Sequence, residues 1–460
     1  MRLYQLPFYV VLAAVVLSPL PFGSVQIGAW SLLALVAGLA TVCWAVMTAF
    51  GAGPDARVSR LKWPLAAFLL VAAWILIQLS ALTPAAWHHP IWAIASEALG
   101  EPLAGRIAID PQAGWFALIR LLSYGAIFWL AAQYGSDAKL AARALRIFTF
   151  AGAAAAGMGL LIWSTGLSHL LWFDEDFLLV QMRYGSRLAI PFVNPNHLAS
   201  FAAMGLICAI GLIAGETRGL WRPETDRREK LRRFLDTAVS RNWFLMISGM
   251  VYAMAVMLSQ SRGGLLALAV GLTVLWAALI RRSKPRISHT ITAVALAALV
   301  TGAFFAPTLA RFTDRLGTVE AETGQRRMEI YQNAMSAIET SPVLGYGYGG
   351  FPALYRMYDQ HDLFSVVEFA HSTVLENVLE LGIPSAALLF AAILWPVVAC
   401  WRGARVRQRD QHIPALAAAV AAVALIHSMV DFPLQIPAIA VAFSLILGLG
   451  FAQSVSSKTS

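Results

Sequence analysis

The chain has 460 residues, 59% of them hydrophobic and only 13% charged, with a formal net charge of +9 and three cysteines. A soluble domain carries roughly 25% charged residues, so this balance excludes an ordinary globular domain and indicates a polytopic membrane protein whose length reflects a count of helices. Cys43, Cys208 and Cys400 all lie in apolar segments, a pattern that suggests neither a disulfide framework nor a metal site.

A run of about 20 apolar residues crosses the hydrocarbon core as a helix. About twelve such runs are expected, near 5–22, 26–48, 63–82, 113–134, 142–165, 197–215, 243–260, 263–280, 287–306, 373–400, 413–430 and 435–453. The first could pass for a signal peptide, but it lacks a cleavage site, and "SPLPFG" reads as a turn. With the N-terminus inside, most of the 34 basic residues collect in inner loops, above all in the segment 216–242 and in "RRSKPR" at Arg281–Arg286. The positive-inside rule therefore sets the orientation, with both termini cytoplasmic. The positive charge is a topogenic signal, and no nucleic-acid partner is expected. The fold class expected is all-α and polytopic, one integral membrane domain over 1–460. A long, partly helical outer loop, 307–371, separates the ninth and tenth spans; loops of that length usually carry a function.

A group of arginines is left over, and all but Arg120 map to the outer side. In chain order, "MRYGSRLAIPFVNPNHLASF" brings Arg183 and Arg187 to the membrane surface, and the turn around Asn196 opens the sixth span, with Pro195 at the helix start. The preceding "FDEDF" does not read as a metal site, because adjacent acids point in different directions on any regular backbone. "SQSRGG" places Arg262 at the tip of a tight turn between two spans, where Gly263 and Gly264 permit close reversal. An arginine there either snorkels to headgroups or clamps an anion at a cavity mouth.

Within the long loop, Met328, Tyr331, Met335 and Ile338 recur at helical spacing and mark an apolar face, with Arg327 one step from it and Arg326 beside it. "GYGYGGF" then breaks the helix. It lacks the Lys-Ser/Thr ending of a phosphate loop and reads as a turn with close backbone packing. In "AHSTVLENVLELGIPS", Thr373 and Glu376 form a capping pattern that opens the tenth span, and His371 precedes it. The positive end of a helix disfavours a protonated imidazole, so His371 is a candidate general base. His427 and Asp431, four apart, could share a helix face.

Taken together, "NPNHLASF", "SQSRGG", the Arg327-x-x-x-Tyr331 helix start, "SPVLGYGYGGF" and the His371-Ser372 pair with Gly382 downstream resemble the O-antigen ligase and polymerase superfamily, over roughly Arg183 to Pro437. One departure is "GIPS", where Ser385 replaces the family's second glycine. The resemblance implies a helical, GT-C-like glycosyltransferase of the bacterial inner membrane that uses no metal or other cofactor. Its donor would be a glycan on undecaprenyl diphosphate at the periplasmic face, and its acceptor a hydroxyl of lipid A-core or of another glycan. The family's sensitive positions fall on Arg262, Arg327 and His371.

The expected chemistry follows from these residue types. Guanidinium groups hold a diphosphate leaving group in forked, charge-assisted geometry, and His371 takes the acceptor proton. One base with direct displacement implies inversion. Arg183, Arg187, Arg326, Tyr331, Asn196, His427 and Asp431 are the expected substrate-binding side chains. Ligase and polymerase share these motifs. A lipid-linked glycan flippase or transporter is the alternative from another class; the missing half-to-half repeat weighs against it.

Overall fold

A computed structural model describes residues 3–53, 58–165, 187–217, 228, 242–280, 319–358 and 367–454. The described residues form fifteen α-helices and no strand. Apolar side chains with no polar interruption satisfy their backbone groups only within a helix when water is absent, which is why a chain of this composition folds this way. In order the helices are α1 (Leu6–Leu17), α2 (Ile27–Ala49), α3 (Val58–Leu79), α4 (Ile91–Leu99), α5 (Pro111–Tyr134), α6 (Ala138–Thr165), α7 (Pro195–Thr217), α8 (Trp243–Ser259), α9 (Arg262–Leu279), α10 (Val319–Thr340), α11 (Phe351–Tyr358), α12 (Thr373–Leu381), α13 (Ile383–Val406), α14 (His412–His427) and α15 (Pro437–Ala452).

Seven of these are long and apolar enough to cross a membrane, and α1, α8, α14 and α15 are shorter apolar helices. They coincide with eleven of the expected spans; the ninth, 287–306, lies outside the described residues. The centre of the bundle is α7, α14 and α15, whose alanines and glycines let neighbouring backbones approach closely. Helices α5, α8, α9 and α13 pack around them, whereas α2 and α3 present Leu32, Leu35, Leu39, Leu69 and Leu70 outward. An outer surface this apolar is made for lipid.

Two expectations are corrected here. The tenth span does not start at Thr373. The short helix α12 stands before it, and the chain breaks at Gly382 (φ +76°), where a Cβ would lie 2.1 Å from the Val343 carbonyl oxygen; α13 begins after that break. The buried face of α10 is also rotated from the expected one. Ile330, Ala334, Ala337 and Ile338 are buried, while Met328 and Met335 point outward, because α10 packs on α12 through its small alanines. Arg327 falls on the buried face rather than one step from it. The "GYGYGGF" segment is a backbone-packed turn: the Tyr346 and Gly347 amides donate to the carbonyls of Leu379 and Glu380 at 3.2 and 3.0 Å.

Both arms of charge are segregated along the bundle. Arg143, Arg146, Arg405 and Arg407 lie at one end, where Arg146 pairs with Glu216 and Arg407 donates to the Gln453 carbonyl. The loops that carry Arg187, Arg262, Arg327 and His371 gather at the other.

Candidate functional site

The site begins with a strained residue. His371 has φ +51°, in the left-handed region that a branched or bulky side chain rarely adopts. Its neighbours hold it there. Tyr331 Oη of α10 donates to the His371 carbonyl at 2.9 Å. The Ala370 amide donates to Glu376 Oε2 at 2.7 Å. The Thr373 amide donates to the carbonyls of Ser428 (2.9 Å) and Asp431 (3.2 Å). Ser372, not Thr373, is the cap of α12, accepting from the Leu375 amide at 3.3 Å. Glu376 is therefore not part of a capping box; it reaches past the cap to fix the backbone just before His371. Backbone strain kept by this many contacts is a mark of functional positions.

The His371 ring stands edge-on to Phe432 at 5.2 Å. Its Nδ1 faces Asp431 Oδ1 at 3.9 Å, too far for a hydrogen bond. The Asp431 side chain is 2% exposed, and its carboxylate is held in place. Asn196 Nδ2 donates to Oδ2 at 2.6 Å and the Phe432 amide donates to Oδ1 at 2.8 Å. Asn196 Oδ1 in turn accepts from Arg187 Nη2 at 3.2 Å, and Arg187 Nε donates to the Ser259 carbonyl at 3.1 Å. A continuous polar chain thus runs from Arg187 through Asn196 and Asp431 to the face of His371. Burial pushes the imidazole below the usual histidine range; Asp431 opposes this and the Arg327 charge adds to it.

Arg327 enters from α10. Its Nε is buried and has no hydrogen-bond partner among the described residues, nor does His371 Nδ1. The Arg327 charge acts on His371, Tyr331 and His427. Burial raises the Tyr331 phenol above its ordinary range, with Arg327 opposing, so it stays a neutral hydrogen-bond donor.

Arg262 is the first residue of α9, exposed, just after the Ser261 cap that accepts from the Gly264 amide at 3.1 Å. The following residue touches the site. A Cβ on Gly263 would come within 2.8 Å of His427 Nε2. His427 is 1% exposed, and its Nδ1 lies 2.5 Å from Ser200 Oγ. His427 and Asp431 do come together, but at the end of α14 rather than along it: the Asp431 amide donates to the His427 carbonyl at 2.9 Å.

Of the expected site residues, the structure gathers His371, Arg327, Tyr331, Asp431, Asn196, Arg187 and His427 into one cluster, with Arg262 at its edge. Arg326 is exposed. Arg183 and "FDEDF" lie outside the described residues. Ser200, Glu376 and Phe432 were not expected. Ser200 stands four residues after Asn196 on one helix, a spacing that puts both on the same face.

These features define a polytopic membrane protein whose polar site sits at one end of its helix bundle. A family model described as "O-Antigen ligase" matches residues 245–391, from α8 into α13. The match spans about a third of the chain, and that segment is similar to the O-antigen ligase and polymerase superfamily. It holds Arg262, Arg327, Tyr331 and His371; Arg187, Asn196, His427 and Asp431 come from either side of it. No curated protein matches the chain.

Proposed function

We propose that the chain transfers a glycan from undecaprenyl diphosphate to an acceptor hydroxyl, as an O-antigen ligase acting on lipid A-core, at the periplasmic face of the bacterial inner membrane. The observation that carries this reading is the meeting of a half-buried His371, whose imidazole burial pushes below its usual range, with the Arg327 guanidinium, whose Nε is buried and satisfied by no described residue. An anionic substrate satisfies the guanidinium, and an acceptor hydroxyl meets the imidazole at Nε2, since Nδ1 faces Asp431. The clustering of basic side chains at the opposite end of the bundle supports a periplasmic site, because basic loops stay cytoplasmic.

The chemistry proceeds without a covalent intermediate. The acceptor oxygen attacks the anomeric carbon while its proton passes to His371 Nε2. The bond from that carbon to the diphosphate breaks, and its electron pair leaves with the diphosphate. Asp431, facing Nδ1, stabilises the imidazolium as it forms; hydrogen bonds of this kind shorten when substrate is bound. Arg327 and Arg262 carry the charge that grows on the leaving group, worth about 2.7–4 kcal/mol per preorganised donor in well-studied enzymes. Arg187 and Asn196 orient Asp431, and His427, on Ser200, packs beside Gly263 in the same cluster.

The purified chain, reconstituted with undecaprenyl-diphosphate glycan and acceptor, tests this. Free undecaprenyl diphosphate and a product of inverted anomeric configuration are expected. A lipid-linked glycan that crosses the bilayer unchanged would instead identify a flippase. In cells, bare lipid A-core beside accumulated polymer marks ligase activity, and single repeat units mark a polymerase.

A further inference from the structure

A second polar site lies deeper in the bundle. A cavity of about 840 Å³ runs between α3, α5, α13 and α15. Along α5 it extends from Ala113 to Trp129, about 24 Å at the rise of an α-helix. Its walls are apolar, and its rim includes Leu69 and Leu122, both of which face outward toward lipid. Arg120 lines it, about 13 Å along α5 from the helix start. Its guanidinium lies 5.7 Å from the Trp30 ring and forms no hydrogen bond or ion pair among the described residues. Three more polar atoms on the same wall are buried and equally without partners there: Tyr124 Oη, Asn377 Oδ1 and Ser428 Oγ. Asn377 and Ser428 are 5% and 2% exposed. A cation in hydrocarbon surroundings is costly and marks a functional position by default, and each buried polar group left unsatisfied costs about 1–3 kcal/mol.

We propose that this cavity is a lipid site, separate from the diphosphate pocket, and that its occupant is a bilayer lipid with a phosphate and a free hydroxyl in its headgroup. Each part of the occupant answers a group on the wall. A guanidinium with no carboxylate in hydrogen-bond contact takes a phosphate in forked geometry. Asn377 Oδ1 only accepts, so the ligand must donate, and a hydroxyl does so. Tyr124 and Ser428 donate to the remaining phosphate oxygens. The apolar walls take the chains, which pass between Leu69 and Leu122 into the bilayer. Glu376 and Glu380 also line the cavity on α12, which precedes the α13 span. Burial pushes both carboxyls up, Glu380 to about 7, which lessens their repulsion of an anion. They already accept from the Ala370 and Phe351 amides; the Arg120 charge acts on both at a distance, but neither forms an ion pair or hydrogen bond with it. Phe369, which lines the cavity, stacks at 4.1 Å on Phe432, whose ring stands against His371.

The test places the full chain in phosphatidylcholine nanodiscs that contain photoactivatable phosphatidylglycerol or, in a parallel set, a photoactivatable dialkylglycerol hexoside without phosphate. Phosphatidylglycerol is expected to label peptides from α5 and α13 roughly tenfold more than the hexoside. Arg120→Gln should lower its labelling to the hexoside level, Arg120→Lys should keep part of it, and Asn377→Leu should reduce it several-fold. His371→Ala and saturating undecaprenyl diphosphate should leave it unchanged, so failure of the transferase reading does not touch this result. Equal labelling by both lipids, indifference to Arg120→Gln and Asn377→Leu, or displacement by undecaprenyl diphosphate would overturn the proposal; displacement would make the cavity the seat of the donor's tail.

Discussion

Asp431→Asn isolates the charge that faces the base without changing its shape. The substituted amide has one acceptor oxygen, which keeps the bond from the Phe432 amide, while its NH2 meets Asn196, whose side-chain amide must turn to present Oδ1. What is lost is a negative charge 3.9 Å from His371 Nδ1. Two unit charges at that distance interact by about 4 kcal/mol at an effective dielectric of about 20. The His371 side chain is 29% exposed, and solvent screening together with partial proton transfer reduces this to about 2 kcal/mol at the transition state. That corresponds to a fall in kcat of roughly thirtyfold. The sign of the pH effect is also fixed. Asp431 raises the His371 pKa against the lowering by burial and Arg327, so removing it lowers the pKa further. Initial rates of transfer between pH 5 and 8, the range in which histidine titrates, should then show a lower plateau and an acid limb moved to lower pH. A plateau and limb both unchanged would refute the pairing of Asp431 with the base, and an acid limb moved upward would refute the sign of the coupling.

Arg262→Lys should reduce kcat/KM roughly tenfold or more, because an ammonium lacks the fork that grips a diphosphate; wild-type turnover would argue against bidentate binding there. Gly263→Ala should destabilise the protein by about 1–3 kcal/mol through overpacking against His427; thermal unfolding measures this, and a gain in stability would show that His427 has room to move. Transfer should persist in EDTA, and loss restored by an added divalent ion would show that arginine alone does not carry the leaving group.

Hydropathy made most of the bundle legible, because a span needs a length of apolar chain and little else. It did not reveal the break at Gly382. That break depends on a close approach to the Val343 carbonyl, a contact between segments that no local pattern records. The face of α10 was misplaced for a related reason. Methionines at helical spacing suggested burial, yet the helix packs through Ala334 and Ala337. For the site, His371, Arg327 and Arg262 were legible through the order of their motifs. The polar chain from Arg187 to Asp431 was legible as residues but not as a network, since Asn196 and Asp431 are 235 positions apart. Arg120 stood out as the one leftover arginine that fell inside a span, but its cavity needs four helices to exist.

The most direct measurement is transfer by His371→Ala in the reconstituted assay, with folding checked by thermal unfolding and donor binding measured separately. Release of undecaprenyl diphosphate should stop, while the variant stays folded and still binds undecaprenyl-diphosphate glycan through Arg327. Normal release from a folded variant would contradict the role of His371 as the base.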